Sequence, residues 1–402
     1  MQMPKSSDAA PLAAPRLHFI DGLRGVAMLM VLAFHCWLHG GAWRLDVPLG
    51  ERHHLNMAAP LGLGYTGVHL FLVLSGFCLY WPFVKGGGRR EPTLWEYAEK
   101  RCRRILPPYY VTLAIFGGLA LAQALYRHST PGIGFALNWL GLHALMLHNT
   151  QPAYIASVDP PLWSLALEFQ LYILFPVLVE ALRRFSAARV LLLVLAFSAG
   201  FRAVAVHALP GAALWMQGVF LDSVFSRCFE FALGMFAAAF VAQWHVQGKV
   251  PTSRNTALLV AGGVLALMAL DGCVFHLGIV SDAKWGVLYA ILVVAASRPD
   301  GVLHRALSAR WIVTLGVFSY SVYLIHEPLV VALSGWATRR HVIGPAMAAF
   351  DLALLLPLML GLGYVFHRLF ERPFMSPPDT RRARAFPPVS PTRTAEVMGG
   401  KA

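Results

Sequence analysis

Charge is scarce in this chain: Asp, Glu, Lys and Arg make up 13% of its 402 residues, against a hydrophobic share of 57%. With a mean hydropathy of +0.59, that composition excludes a soluble globular domain and points to a chain threaded repeatedly through a membrane. Cysteine is scarce too. The five, Cys36, Cys78, Cys102, Cys228 and Cys273, are odd in number, scattered, and without C-x-x-C or metal-ligand spacing, which argues against a disulfide framework and against zinc. No small-residue cleavage site follows the first apolar run, which continues through Phe34, His35, Cys36, Trp37 and Leu38. It stays as a helix rather than serving as a signal peptide.

What is present is a series of apolar runs. Those near the twenty or so residues a bilayer core requires fall at 19–39, 65–84, 105–126, 162–182, 190–209, 225–244, 256–272, 284–297, 311–334 and 346–367. Alternating the loops between sides puts 24 of the 33 Lys and Arg on the side of the termini, 6 on the other and 3 (Arg24, Arg202, Arg227) within spans. The positive-inside rule then makes both termini cytoplasmic. The net charge of +13 is therefore a topology signal, helped by attraction to anionic lipid, and not the mark of a nucleic-acid partner. The expected fold is an all-α membrane protein, a bundle of about ten transmembrane helices with short interfacial helices. Residues 17–374 form that domain, and the polar segments 1–16 and 375–402 are expected to be disordered.

The first span, LHFIDGLRGVAMLMVLAFHCW from Leu17 to Trp37, carries Asp21, Arg24 and His35. An ionisable group in hydrocarbon costs at least about 2.5 to 3.5 kcal/mol, which makes each a functional candidate. Arg24 and His35 are eleven positions apart, about 16 Å along a helix, so one sits near each face. The outer loop 40–63 holds Arg44, Asp46, Glu51, Arg52, His53 and His54; two adjacent histidines without a third ligand read as a polar loop. In the second span, GYTGVHLFLVLSGFCLYWPF, His69 lies near the outer end, and Ser75-Gly76 reads as close helix packing with no base placed to activate the serine.

Ahead of the third span, in TLWEYAEKRCRRILPPYY, Pro107 and Pro108 are expected to mark the entry, with a short basic helix at the membrane surface before them. Arg101 and Arg104 share a face at i, i+3. They read either as boundary anchors or as a phosphate clamp. GFALNWLGLHALMLHN is too short to span and is expected to be an interfacial or re-entrant helix presenting His143, His148 and Asn149. In PPLWSLALEFQLYILFP, Pro160 and Pro161 open a span with Glu168 two turns inside, where desolvation demands a partner. Arg227 and Glu230, at i, i+3 in SRCFEFALGMF, are expected to pair, with substrate contact as a second reading. Spans seven and eight read as scaffold. Span nine, LGVFSYSVYLIHEPLVV, puts Ser319, Tyr320, Ser321, Tyr323, His326 and Glu327 in one helix.

Counted from the outer boundary, His35 and His69 lie about 6 Å deep, Glu168 about 9 and His326 about 12. Arg24, Arg101 and Arg104 lie near the inner face. The pattern suggests a cavity with a cationic cytoplasmic mouth and a His/Glu site deeper in. Histidine, with an ordinary pKa near 6.5, suits His35 to deprotonating a hydroxyl and returning the proton to a leaving group, with Glu168 orienting or charge-stabilising the ring. No obvious nucleophile accompanies the pair, which points to direct transfer, and the cationic mouth points to an anionic donor.

FIDGLRGVAMLMVLAFH, GVHLFLVLSGF, KRCRRILPPYY, LHN with LWSLALEFQLYILFP, RCFEFALGM, SYSVYLIHEPLV and FERPF, in that order from Leu17 to Phe374, resemble the acyltransferase family 3 membrane proteins. That family includes O-antigen, peptidoglycan, exopolysaccharide and macrolide O-acyltransferases. The resemblance implies an inner-membrane enzyme moving an acyl group other than aminoacyl, expected to be acetyl, from cytoplasmic acyl-CoA to a hydroxyl of a carbohydrate, lipid-linked glycan or related acceptor. It implies acyl-CoA as co-substrate, with no bound cofactor. It carries the essential arginine of the first span onto Arg24, the catalytic histidine onto His35 and the donor-binding R-x-x-R pair onto Arg101 and Arg104. The remaining polar candidates, His69, His148, His326, Tyr323 and Arg227, are assigned to the acceptor or outer cavity. Family members often have Asp at the place of His69 and a Glu-Glu or Glu-Gln pair where Glu168-Phe169-Gln170 stands, so the acceptor and the proton partner of His35 stay open. The short tail is expected to leave no room for an SGNH-type domain, assigning any second transfer step to another protein. Intramembrane His, Glu and Arg also mark proton-coupled transporters or flippases, although no internal repeat of the transporter kind is evident. A sensor or assembly partner is a third reading.

Overall fold

In a computed structural model the chain is described over residues 17–44, 46–48, 54–85, 93–208, 214–247 and 281–375. The tails expected to be disordered (bar residue 375), His53 and the expected span 256–272 lie outside the described residues. Helix α1 is His18–His39, and a 3-10 segment, Ala59–Thr66, leads into α2, Gly67–Val84. Between them Asp46–Pro48 pairs antiparallel with His54–Asn56, Val47 opposite Leu55. There follow α3 Leu94–Tyr126, α4 Thr130–Ala144, α5 Leu162–Arg184, α6 Ala187–Ala208, α7 Leu214–Leu221 and α8 Val224–Gln247. The last helices are α9 Ser281–Ala296, α10 Val302–Leu307, α11 Arg310–Val317, α12 Ser319–Thr338, α13 Pro345–Phe350 and α14 Leu356–Phe366.

Among the described residues, seven helices are long and apolar enough to cross a membrane, or eight if α11 and α12 form one bent span. Of the ten expected spans, 284–297 becomes the 16-residue α9. At about 1.5 Å per residue this reaches some 24 Å, short of a hydrocarbon core of about 30 Å. Span nine is not one rod: α11 and α12 meet at 68°, with Phe318 between them. Span ten runs on through π-turns at Asp351–Leu355 and His367–Glu371.

The expected break at Pro107-Pro108 is also absent. Thr93 opens α3 with a capping box, Glu96 N–H donating to Thr93 Oγ1 at 3.2 Å while Thr93 N–H donates to Glu96 Oε2 at 2.9 Å. The helix then continues through both prolines for 33 residues. Side chains attend the loosened turn: Tyr320 O–H donates to the Ile105 carbonyl at 2.9 Å and Thr112 O–H to that of Pro108 at 3.1 Å. Prolines are tolerated inside membrane helices on such terms. The consequence is that Arg101 and Arg104 sit on the same rigid rod as the span.

α2 and α8 cross backbone to backbone. A Cβ at Gly76 would stand 2.0 Å from the Phe231 carbonyl oxygen, and one at Gly234 1.9 Å from that of Val73, so the packing expected of Gly76 is realised and no larger residue fits either position. Three apolar clusters fill the bundle, and Phe71 packs against all of them. That convergence fixes the face of α2 carrying Phe71, Ser75 and Cys78.

Candidate active site

Five helices, α1, α2, α3, α5 and α12, enclose a cavity of about 850 Å³, counting its open mouth. Arg24 comes from α1, Ser75 from α2, Arg101 and Arg104 from α3, Glu168 and Tyr172 from α5. The Glu168 carboxylate accepts hydrogen bonds from the Ser75 and Tyr172 hydroxyls, which lie 3.1 Å apart. The Arg101 guanidinium stands over the Tyr172 ring at 5.9 Å. Among the lining residues three arginines face one carboxylate, an excess that suits a polyanionic ligand. Two expectations change here. Glu168 lies with the arginines, and Ser75, read from sequence as lacking a base, has a carboxylate on its hydroxyl.

The carboxylate facing His35 belongs instead to Glu327. His35 Nε2 lies 3.5 Å from Glu327 Oε2, and His39 Nε2 lies 2.7 Å from Glu327 Oε1. His326 completes the group, its Nε2 3.0 Å from His35 Nδ1. The tautomers follow from what a carbonyl can do. His326 Nδ1 is 2.8 Å from the Tyr323 carbonyl oxygen, which only accepts, so that nitrogen carries the proton and Nε2 of a neutral ring is bare. His35 Nδ1 must then carry a proton, shared between His326 Nε2 and the Val31 carbonyl at 3.0 Å. In the neutral ring that leaves His35 Nε2 with a free lone pair, 3.5 Å from the Glu327 carboxylate. A hydroxyl presented there meets a base already in the right tautomer.

Tyr323 joins the two regions. Its hydroxyl lies 2.6 Å from Ser164 Oγ and donates to the Pro161 carbonyl at 3.1 Å; its ring lines the arginine cavity and sits 5.6 Å from the His326 ring. Of the residues assigned to an outer cavity, His326 thus stands beside His35 and Tyr323 beside His326. The others do not. His69 and Arg227 are built into a buried ion network. Glu230 Oε1 lies 3.0 Å from His69 Nδ1 and accepts from Arg227 Nη1 at 3.0 Å; Arg227 Nη2 donates to Asp222 at 2.6 Å, and Arg202 to Asp282 at 2.6 Å. The expected Arg227–Glu230 pair is present. Asp282 lies just ahead of the eighth expected span, 284–297, in the first turn of α9, which begins at Ser281.

His148 is not presented to an aqueous face either. It stacks on His143 at 3.6 Å, and His143 stacks on Trp139 at 3.8 Å, all three buried. Burial, reinforced by the neighbouring His148, pushes His143 down to about 2, and burial holds His148 at about 4. Asp159, buried in the loop before α5, is pushed well above the usual carboxylate range by burial and then by the charge of Glu327.

Sequence reasoning named Glu327 but gave it no role, and it passed over His39 and Tyr172. The signal for His39 was its i+4 spacing from His35, which puts both rings on one face of α1. Among the described residues, donor atoms of His35, His326 and Glu327 lie within 4.8 Å of one another. Two imidazoles and a carboxylate can ligate a divalent ion, although the facing nitrogens are already joined by the hydrogen bond above.

Comparison with known proteins gives the family. The chain is 26% identical over 407 residues to the acyltransferase MdmB of Streptomyces mycarofaciens, covering 96% of this chain and 99% of that one. It is 24% identical over 337 residues to the peptidoglycan O-acetyltransferase OatA of Listeria monocytogenes, and 24% over 375 to the O-acetyltransferase OatA of Staphylococcus aureus. These alignments cover 77% and 86% of this chain but 49% and 56% of those proteins, so it spans about half their length. No solved structure matches. A family model described as an acyltransferase domain matches residues 17–368. The match decides between the enzyme and transporter readings: the chain belongs to the acyltransferase 3 family and is an integral membrane acyltransferase.

Proposed function

We propose that this enzyme moves a short acyl group from cytoplasmic acyl-CoA to a hydroxyl of a carbohydrate or related acceptor, with His35 as the general base. The observation that carries the reading is Nε2 of His35, held beside Glu327 and linked through His326 and Tyr323 to a cavity with three arginines. The donor's phosphates are assigned to Arg24, Arg101 and Arg104, whose excess positive charge matches a polyanion and does little for a neutral sugar. His35 Nε2 takes the proton of the acceptor hydroxyl as its oxygen attacks the thioester carbonyl. The C–S bond breaks, and the departing thiolate takes that proton from the imidazolium. Glu327 stabilises the positive ring in between. The names of the Listeria and Staphylococcus relatives support O-acetylation, and that of the former supports a carbohydrate polymer as acceptor. The distribution of Lys and Arg supports an inner-membrane enzyme with cytoplasmic termini.

Inside-out membrane vesicles given radiolabelled acetyl-CoA test this directly. Label is expected in glycan or lipid with the wild type and not with His35→Ala or Arg104→Ala. A properly folded His35→Ala that transfers at the wild-type rate would sink the assignment of the base, and silence from acetyl-, propionyl- and succinyl-CoA with acceptors supplied would sink the donor.

A further inference from the structure

The arginine cavity has two chemically different ends. On α2 it is lined from Cys78, within electrostatic reach of all three arginines, to Val68; ten residues of helix separate these ends by about 15 Å. The far end is apolar, walled by Val68, Phe71, Leu72 and Leu165, with the Ser164 and Tyr323 hydroxyls as its polar pair. Phe71 meets the Tyr323 ring edge-on at 6.0 Å, and together they roof the cavity below His326. A ligand held by its phosphates at the arginines must lay its other terminus against this roof.

We propose that the apolar end is the pocket for the acyl chain and that Phe71 sets the chain length it accepts. The inference rests on the acyl-CoA reading above and deepens it by naming short, unbranched acyl groups as the cargo. Three features support Phe71 as the determinant. It is half-buried, and its free surface faces the cavity. It packs against all three core clusters, so its ring cannot swing aside without disturbing each of them. The roof's other half is also fixed, because the Tyr323 hydroxyl is tied to Ser164 and to the Pro161 carbonyl. An acetyl group ends beneath such a ring; a longer chain must displace it. Discrimination of this kind is typically about 10- to 200-fold per methylene in an apolar pocket.

The test is binding of CoA, acetyl-CoA, butyryl-CoA and hexanoyl-CoA to the purified full-length protein in detergent, by calorimetry, for the wild type, Phe71→Leu and Phe71→Ala. The wild type is expected to bind acetyl-CoA at least about tenfold tighter than hexanoyl-CoA. The variants are expected to reverse that order while keeping wild-type affinity for CoA itself, a pattern that a general loss of structure does not give. Variants that bind CoA normally yet keep the wild-type acetyl-to-hexanoyl ratio would overturn the role of Phe71. Should neither variant fold, the wild-type series decides alone: equal affinity from acetyl to hexanoyl refutes a closed acyl pocket. A wild type that binds none of the four compounds is a different result, and removes the acyl-CoA reading on which the pocket depends.

Discussion

Replacing Glu327 with Gln isolates one electrostatic contribution. Glu327 is buried, and its Oε2 lies 3.5 Å from His35 Nε2; at that separation and an effective dielectric of about 20, unit charges attract by about 4.7 kcal/mol. The imidazolium charge is only partly developed at the transition state, so half of this, about 2.4 kcal/mol, is at stake, or about 50-fold in rate. Gln keeps the size and an oxygen for His39, so the fold is retained. The arginines that line the cavity assigned to the donor in the proposal are not among the partners of Glu327. The expectation is therefore a kcat lowered about 50-fold with KM for the acyl donor unchanged, read by thiol release from acetyl-CoA with saturating acceptor. A kcat within threefold of wild type would refute the reasoning, as would a loss appearing in KM alone, since either would mean that Glu327 does not face the charge that develops on His35.

Arg104→Gln removes one of three cationic contacts and should raise KM for acyl-CoA at least tenfold with a smaller change in kcat, an effect that added salt mimics in the wild type; a change confined to kcat counts against the donor-cradle assignment. The buried His143–His148 pair should make stability fall with acid. Both rings are neutral in the folded protein at values below their unfolded 6.5, so their contribution is intact above pH 6.5 and is lost as pH falls toward about 4 for His148 and about 2 for His143. Each ring removes about 1.4 kcal/mol per pH unit in that window. Thermal unfolding in detergent between pH 7 and 5 should show a steep decline in the wild type and a shallower one in a His143→Asn/His148→Asn double variant, and parallel slopes would contradict the assignment.

Height along a helix is legible in a sequence; azimuth is much less so. Counting residues from span ends placed Arg24, Arg101 and Arg104 at one level, and the structure puts all three around one cavity. The same counting put Glu168 level with His35 and could not tell that α5 turns this side chain toward Ser75 and Tyr172, whereas α12 turns Glu327 toward α1. His69 failed for the same reason: its partners Glu230, Arg227 and Asp282 come from α8 and α9, which packing chooses and spacing does not. Pro107-Pro108 misled differently, because local propensity argues for a break while Tyr320 and Thr112, one of them more than two hundred residues away, satisfy carbonyls in the turn around the prolines.

The division between a cationic cavity and a histidine cluster has a physical rationale of its own. A general base with a bare nitrogen beside a thioester would hydrolyse it whenever water reached both. In this structure the ring of Tyr323 lines the arginine cavity and lies against His326, the partner of His35, and its hydroxyl bonds join α12 to the start of α5. The same residue's carbonyl fixes the His326 tautomer that leaves His35 Nε2 free. One turn of α12 thus both bounds the arginine cavity and sets the protonation pattern of His35. Any motion of that turn that opened the roof would also release the constraint on His326, so under the proposed mechanism access of the acyl carbon to His35 and the basicity of His35 are coupled through a single segment, Tyr323–Glu327.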